Sequence, residues 1–61
     1  MRYYVQVRKE GNGYITRCST DSWNTAVLNY RCINIGYLYT KRLLEVSEDG
    51  RSKVVHRVKG L

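Results

Sequence analysis

The chain reads as a small α+β domain of order β-β-α-β-β, an antiparallel sheet of two hairpins with one helix laid on one face. Three observations predict this. Apolar residues alternate with polar ones near both ends of the chain, the strand period of two. Between them a single stretch, 21–31, carries its apolar residues on the helical period of 3.6. Turn chemistry, Gly11-Asn12-Gly13 and Ser47-Glu48-Asp49-Gly50, sits inside each alternating region, where a hairpin would reverse.

The first hairpin is expected over 2–19. Tyr3, Val5 and Val7 share one face of its first strand, and Tyr4, Gln6 and Arg8 the other. Asn12-Gly13 is a strong two-residue turn signal because both residues tolerate positive φ. That turn sets Arg8 opposite Arg17 and Val7 opposite Cys18, with Val5, Val7, Thr16 and Cys18 on the core face. The like-charged Arg8/Arg17 pair disfavours this register, and a slip of one position relieves it.

In the helix, Trp23, Ala26, Val27 and Tyr30 fall at i, i+3, i+4 and i+7. Thr20, Asp21 and Ser22 are consecutive N-cap candidates, whose side-chain oxygens can accept the unpaired N–H groups of the first turn. With Trp23 as core anchor, its truncation to alanine would cost about 3–5 kcal/mol. Residues 33–39 alternate as a strand does, interrupted by Gly36, and the preferred reading is a bent strand starting near Tyr37. The second hairpin is expected over 37–59. A type I turn with Gly50 in a bulge pairs Glu45 with Lys53 and Leu44 with Val54, whereas a tighter Asp49-Gly50 turn pairs Glu48 with Arg51.

With 61 residues this is one domain, 1–61, and so short a chain buries a small core. Eleven Lys and Arg against five Asp and Glu give a net charge of +6, which favours anionic partners. No apolar run approaches the ~20 residues that cross a bilayer, and the first residues lack the apolar run of a signal peptide. A cytoplasmic protein without membrane attachment is the expectation. Cys18, Cys32 and His56 fall short of a structural zinc set, and no cofactor is expected. Two buried free thiols are preferred over a Cys18–Cys32 bridge.

No catalytic constellation stands out. Cys and His are present without an orienting third group, and no acid–base carboxylate couple is evident. Gly-rich phosphate loops, CxxC and HExxH are absent. The chain is read as non-enzymatic. Basic residues crowd the last strand (Arg51, Lys53, His56, Arg57, Lys59) with Lys41 and Arg42 facing them, and tyrosines are interleaved. The face left open by the helix is expected to carry Tyr4, Arg8, Arg42 and Arg57. The candidate partner-binding set is Tyr4, Arg8, Arg17, Arg42, Arg57 and Lys59.

The segment Tyr4-Val5-Gln6-Val7 with Gly11-Asn12-Gly13-Tyr14-Ile15 resembles the first hairpin of HicB-type antitoxins. Those proteins continue through a proline- and glycine-containing segment, and this chain has no proline; no function is carried over. The functional expectation is a small regulatory or inhibitory protein, in the style of phage-encoded accessory proteins, that docks on a protein partner and can self-associate as a homodimer. The alternative is a nucleic-acid binder that uses a basic, tyrosine-containing sheet face.

Overall fold

A computed structural model describes residues 1–60. Five elements follow in the order β1 (Arg2–Lys9), β2 (Ile15–Thr20), α1 (Trp23–Cys32), β3 (Tyr39–Val46) and β4 (Ser52–Lys59). The strands form one antiparallel sheet of order β2-β1-β3-β4, with the helix on one side. The fold is therefore the α+β arrangement expected, with β1 and β3 as inner strands and β2 and β4 as edges.

Strand alternation divides the side chains cleanly. Tyr3, Val5 and Val7 of β1 point toward the helix, opposite Glu45, Leu43 and Lys41 of β3. Val5, Leu43 and Ala26 are completely buried, and Tyr3, Cys18, Val27, Tyr30 and Ile33 pack around them. Ala26 is the one helix residue without exposed surface, because its small side chain lets α1 lie close over β1 and β3.

The helix starts where Ser22 Oγ accepts the Thr25 N–H at 3.3 Å. Ser22 is thus the N-cap among the three candidates. Thr20 Oγ1 in turn accepts the Ser22 N–H at 3.1 Å. At the other end, Lys41 Nζ reaches up from β3 and donates to the carbonyls of Tyr30 (2.7 Å) and Ile33 (2.9 Å), lying 4.6 Å from the Tyr30 ring centre. A cation at the negative end of the helix dipole satisfies carbonyls that the helix itself leaves unpaired. Lys41 thus belongs to the framework under the helix rather than to a basic surface.

Several expectations are corrected. The first hairpin does not turn at Asn12-Gly13: the Asn12 N–H bonds the Lys9 carbonyl at 2.9 Å across Glu10-Gly11, and Gly11 takes the positive φ of 88°. Val5 then pairs with Cys18, Gln6 with Thr16 and Val7 with Ile15. Arg17 is left as the extra residue of a bulge. Arg8 and Arg17 never face each other, which removes the like-charge penalty. Thr16 moves from the expected core face to the opposite one, where its hydroxyl accepts from Gln6 Nε2 at 3.1 Å.

Trp23 is 40% exposed. It sits at the first turn of α1, edge-on to Tyr3 with ring centres 5.4 Å apart, beside the core rather than in it. Strand β3 begins at Tyr39, two residues later than expected, because Gly36 to Tyr39 is a turn: the Tyr39 N–H bonds the Gly36 carbonyl at 3.1 Å. Both cysteines are free thiols, but neither is fully buried: Cys18 is half-buried and Cys32, on the last turn of α1, is exposed.

The second hairpin takes the wider of the two turns. Glu45 pairs with Lys53 and Leu44 with Val54, and Gly50 adopts φ 89°. A bulge at Val55 then re-phases β4, so that Leu43 faces His56 and Arg42 faces Arg57. No helix among the described residues is long and apolar enough to cross a membrane.

Candidate functional site

The helix occupies one side of the sheet, so the other is where side chains on rigid strands meet solvent. Its rows follow from the pairing: Arg2, Tyr4, Gln6 and Arg8 on β1; Thr40, Arg42, Leu44 and Val46 on β3; Ser52, Val54, Arg57 and Lys59 on β4; Thr16 and Ser19 on β2. These positions include no carboxylate. The chain's acidic residues lie elsewhere: Glu45 on the helix side, Glu10, Glu48 and Asp49 in turns, and Asp21 before the helix. Among the described residues the ion pair present is Arg51–Asp49 at 3.4 Å, inside the second turn, so the open-face cations keep no carboxylate in salt-bridge range.

The face has two parts. At one end Tyr4, Leu44, Val46 and Val54 form an apolar strip. At the other Arg8, Arg42, Arg57 and Lys59 form a basic cluster, with Arg42 directly across from Arg57. Arg42 is held in place: its Nε donates to Gln6 Oε1 at 2.8 Å, and its guanidinium stacks 3.6 Å from the centre of the Tyr14 ring. Arg8 lies 5.3 Å from the same ring. A chain of partners therefore runs from Thr16 through Gln6 and Arg42 to Tyr14 and Arg8. Stacking on an aromatic face and a defined hydrogen bond fix the otherwise mobile arginine side chain before any partner arrives.

Of the candidate residues, the structure brings Tyr4, Arg8, Arg42, Arg57 and Lys59 onto this one face. Arg17 stands apart: as the bulge residue of β2 it lines a cavity on the helix side with Val7, Ile33 and Tyr39. Lys53 and His56 also face the helix side. His56 lies 6.2 Å from Trp23 and 5.8 Å from Tyr30, ring centre to ring centre. The basic crowd of β4 is thus split between two sides by the Val55 bulge.

Sequence reasoning gave Tyr14 no role of its own within the hairpin expected over 2–19, whereas it lies just before β2. Its role is to leave the ladder and cover the two arginines. The two-residue separation of Gly13 from Ile15 gave no sign of this, since it depends on where the turn sits. Leu38 was also missed. It carries φ 73° in the third position of the Gly36–Tyr39 turn. Bulky residues rarely adopt that region, and glycine would be unstrained there. Among the described residues no group of three or more His, Cys, Asp or Glu side chains is placed to hold a metal.

No protein-family model matches the chain, and no curated protein sequence and no solved structure matches it.

Proposed function

We propose that this protein acts without chemistry, by docking its open sheet face on an acidic surface of a protein partner, as a small regulatory or inhibitory protein of the phage accessory kind. The observation that carries the reading is the make-up of that face: a basic cluster whose strand positions hold no carboxylate and whose cations form no ion pair among the described residues, with Arg42 pre-oriented by Gln6 and Tyr14, continuous with the apolar strip of Tyr4, Leu44, Val46 and Val54. Arginine and tyrosine next to apolar surface are the residue types that dominate protein interfaces. Complementary charge would guide encounter, and the apolar strip would supply buried area.

A second reading, nucleic-acid binding, is favoured by the same lack of carboxylates, because phosphate backbones need only positive charge. Base stacking on the tyrosines has weaker support, since Arg42 already lies against the Tyr14 ring.

The test is affinity capture with wild-type protein and with Arg42→Ala/Arg57→Ala, before and after nuclease treatment. A protein captured by wild type, retained after nuclease and lost with the folded variant supports docking. Loss on nuclease treatment, with oligonucleotide affinity falling steeply as salt rises, transfers the face to the second reading. Capture unaffected by the double variant overturns both.

A further inference from the structure

The basic end of the open face is not flat. A cavity of about 210 Å³ opens there between β1, β3 and the end of β4, bordered by Arg8, Lys59, Tyr37, Leu38, Thr40 and Gly60. Thr40 forms its floor and is 7% exposed, although it belongs to the uncovered side of the sheet. Arg8 and Lys59 flank it from the neighbouring strands, in register on either side of Thr40.

The walls are closely determined. The Gly60 N–H bonds the Tyr39 carbonyl at 2.8 Å, and the Glu10 N–H bonds the Leu38 carbonyl at 2.7 Å, tying both borders to the Gly36–Tyr39 turn. A Cβ on Gly60 would lie 2.0 Å from the Gly36 carbonyl oxygen. Only glycine therefore lets the chain leaving β4 close against that turn. The turn holds Leu38 at positive φ. It leaves Tyr37 74% exposed as an apolar lip. Arg8 lines the cavity, and its Nε is buried with no hydrogen-bond partner among the described residues. Glu10 stands at the border but forms an ion pair with neither cation.

We infer that this cavity is the receptor for one carboxylate side chain, an aspartate or glutamate of the partner protein, gripped between Arg8 and Lys59 with Tyr37 and Leu38 covering its apolar stem. The inference rests on the docking reading and names the group that reading's partner must present. Two cations on neighbouring strands, neither ion-paired with the Glu10 carboxylate at the border, supply the attraction, and a concave floor sets this spot apart from the exposed arginines around it.

The experiment is ¹⁵N-detected NMR titration of the protein with a short poly-L-glutamate peptide, and with oligothymidylate of matching charge. Poly-L-glutamate should shift the amides of Leu38, Thr40 and Gly60 together with the Arg8 Nε–H resonance. Lys59→Gln and Arg57→Gln each remove one exposed charge from the same face of the same strand. The first should weaken peptide binding about fivefold, the second about twofold or less. Glu10→Gln should tighten it about twofold by removing a like charge from the border. Equal losses in the two β4 variants would overturn the cavity as receptor and leave docking of the face intact. Binding of oligothymidylate with no response to the peptide would overturn both, and absence of any response in the folded wild type would overturn the receptor.

Discussion

The packing makes Leu43, not Trp23, the side chain whose loss the domain can least bear. Leu43 has no exposed surface; Val5 flanks it on β1, His56 on β4, and Ala26 presses from the helix. Leu43→Ala removes three carbon atoms, about 2 kcal/mol of transfer free energy at roughly 0.8 kcal/mol per methylene. Both flanking strands are hydrogen-bonded and cannot close in. A residual void of about 60 Å³, at about 24 cal/mol per Å³, adds about 1.5 kcal/mol.

The total is about 3.5 kcal/mol. A domain of this length, with a total stability of about 3–9 kcal/mol, is brought close to unfolding by that loss. Trp23→Ala differs because the residue is already 40% exposed and solvent fills the gap. It gives up its edge-to-face contact with Tyr3 and its partial burial, about 2 kcal/mol together. Urea unfolding followed by far-ultraviolet circular dichroism measures both, since it does not need the indole as reporter. A Trp23→Ala loss equal to or larger than that of Leu43→Ala would refute the packing argument.

Two further outcomes follow from single contacts. Lys41→Met keeps the aliphatic stem but removes both carbonyl bonds at the helix end. It should cost about 1–2 kcal/mol in urea unfolding, with faster amide exchange over the last turn of α1. The Asp49 carboxyl is held below the ordinary aspartate range, first by the Ser47 hydroxyl and then by the Arg51 N–H. A depressed folded-state pKa stabilises the fold above the unfolded value and is lost as pH falls through the folded one. Stability should therefore decline with acidification in that window, and Asp49→Asn should flatten the decline; an Asp49 carboxyl that titrates by NMR at the ordinary value would remove the effect.

Element order was legible because each element's period is written in its own residues: two for Val5-Gln6-Val7, 3.6 for Ala26, Val27 and Tyr30. The second turn was legible up to a choice of two, and Gly50 in the wider turn decided it. The first turn was not, since Gly11, Asn12 and Gly13 can all accept positive φ and the choice was settled only where β2 meets β1. Trp23 misled because helical periodicity reports which side of α1 is apolar, not how far the sheet extends beneath it.

The open face was readable at Tyr4, Arg8 and Arg42, where alternation runs unbroken from strand to strand. Past Val55 the expected placement of Arg57 and Lys59 on this face also holds, but the bulge that shifts the phase of β4 by one carries no composition signal. The bulge at Arg17 is equally unmarked. The Arg8–Lys59 cavity was invisible for another reason: it needs Gly60 and Leu38, which act through backbone conformation and not through side-chain chemistry.

Each edge strand carries one of the two bulges, Arg17 in β2 and Val55 in β4. An incoming peptide that tried to extend the sheet would find the outward row of donors and acceptors broken partway along either border, with local twist turning the remainder aside. Main-chain zippering, between copies or with another protein's extended segment, is thereby discouraged on both flanks. Recognition is left to side chains presented by the broad surface, so specificity must be written in groups such as Arg42 and Tyr4 rather than in backbone pairing.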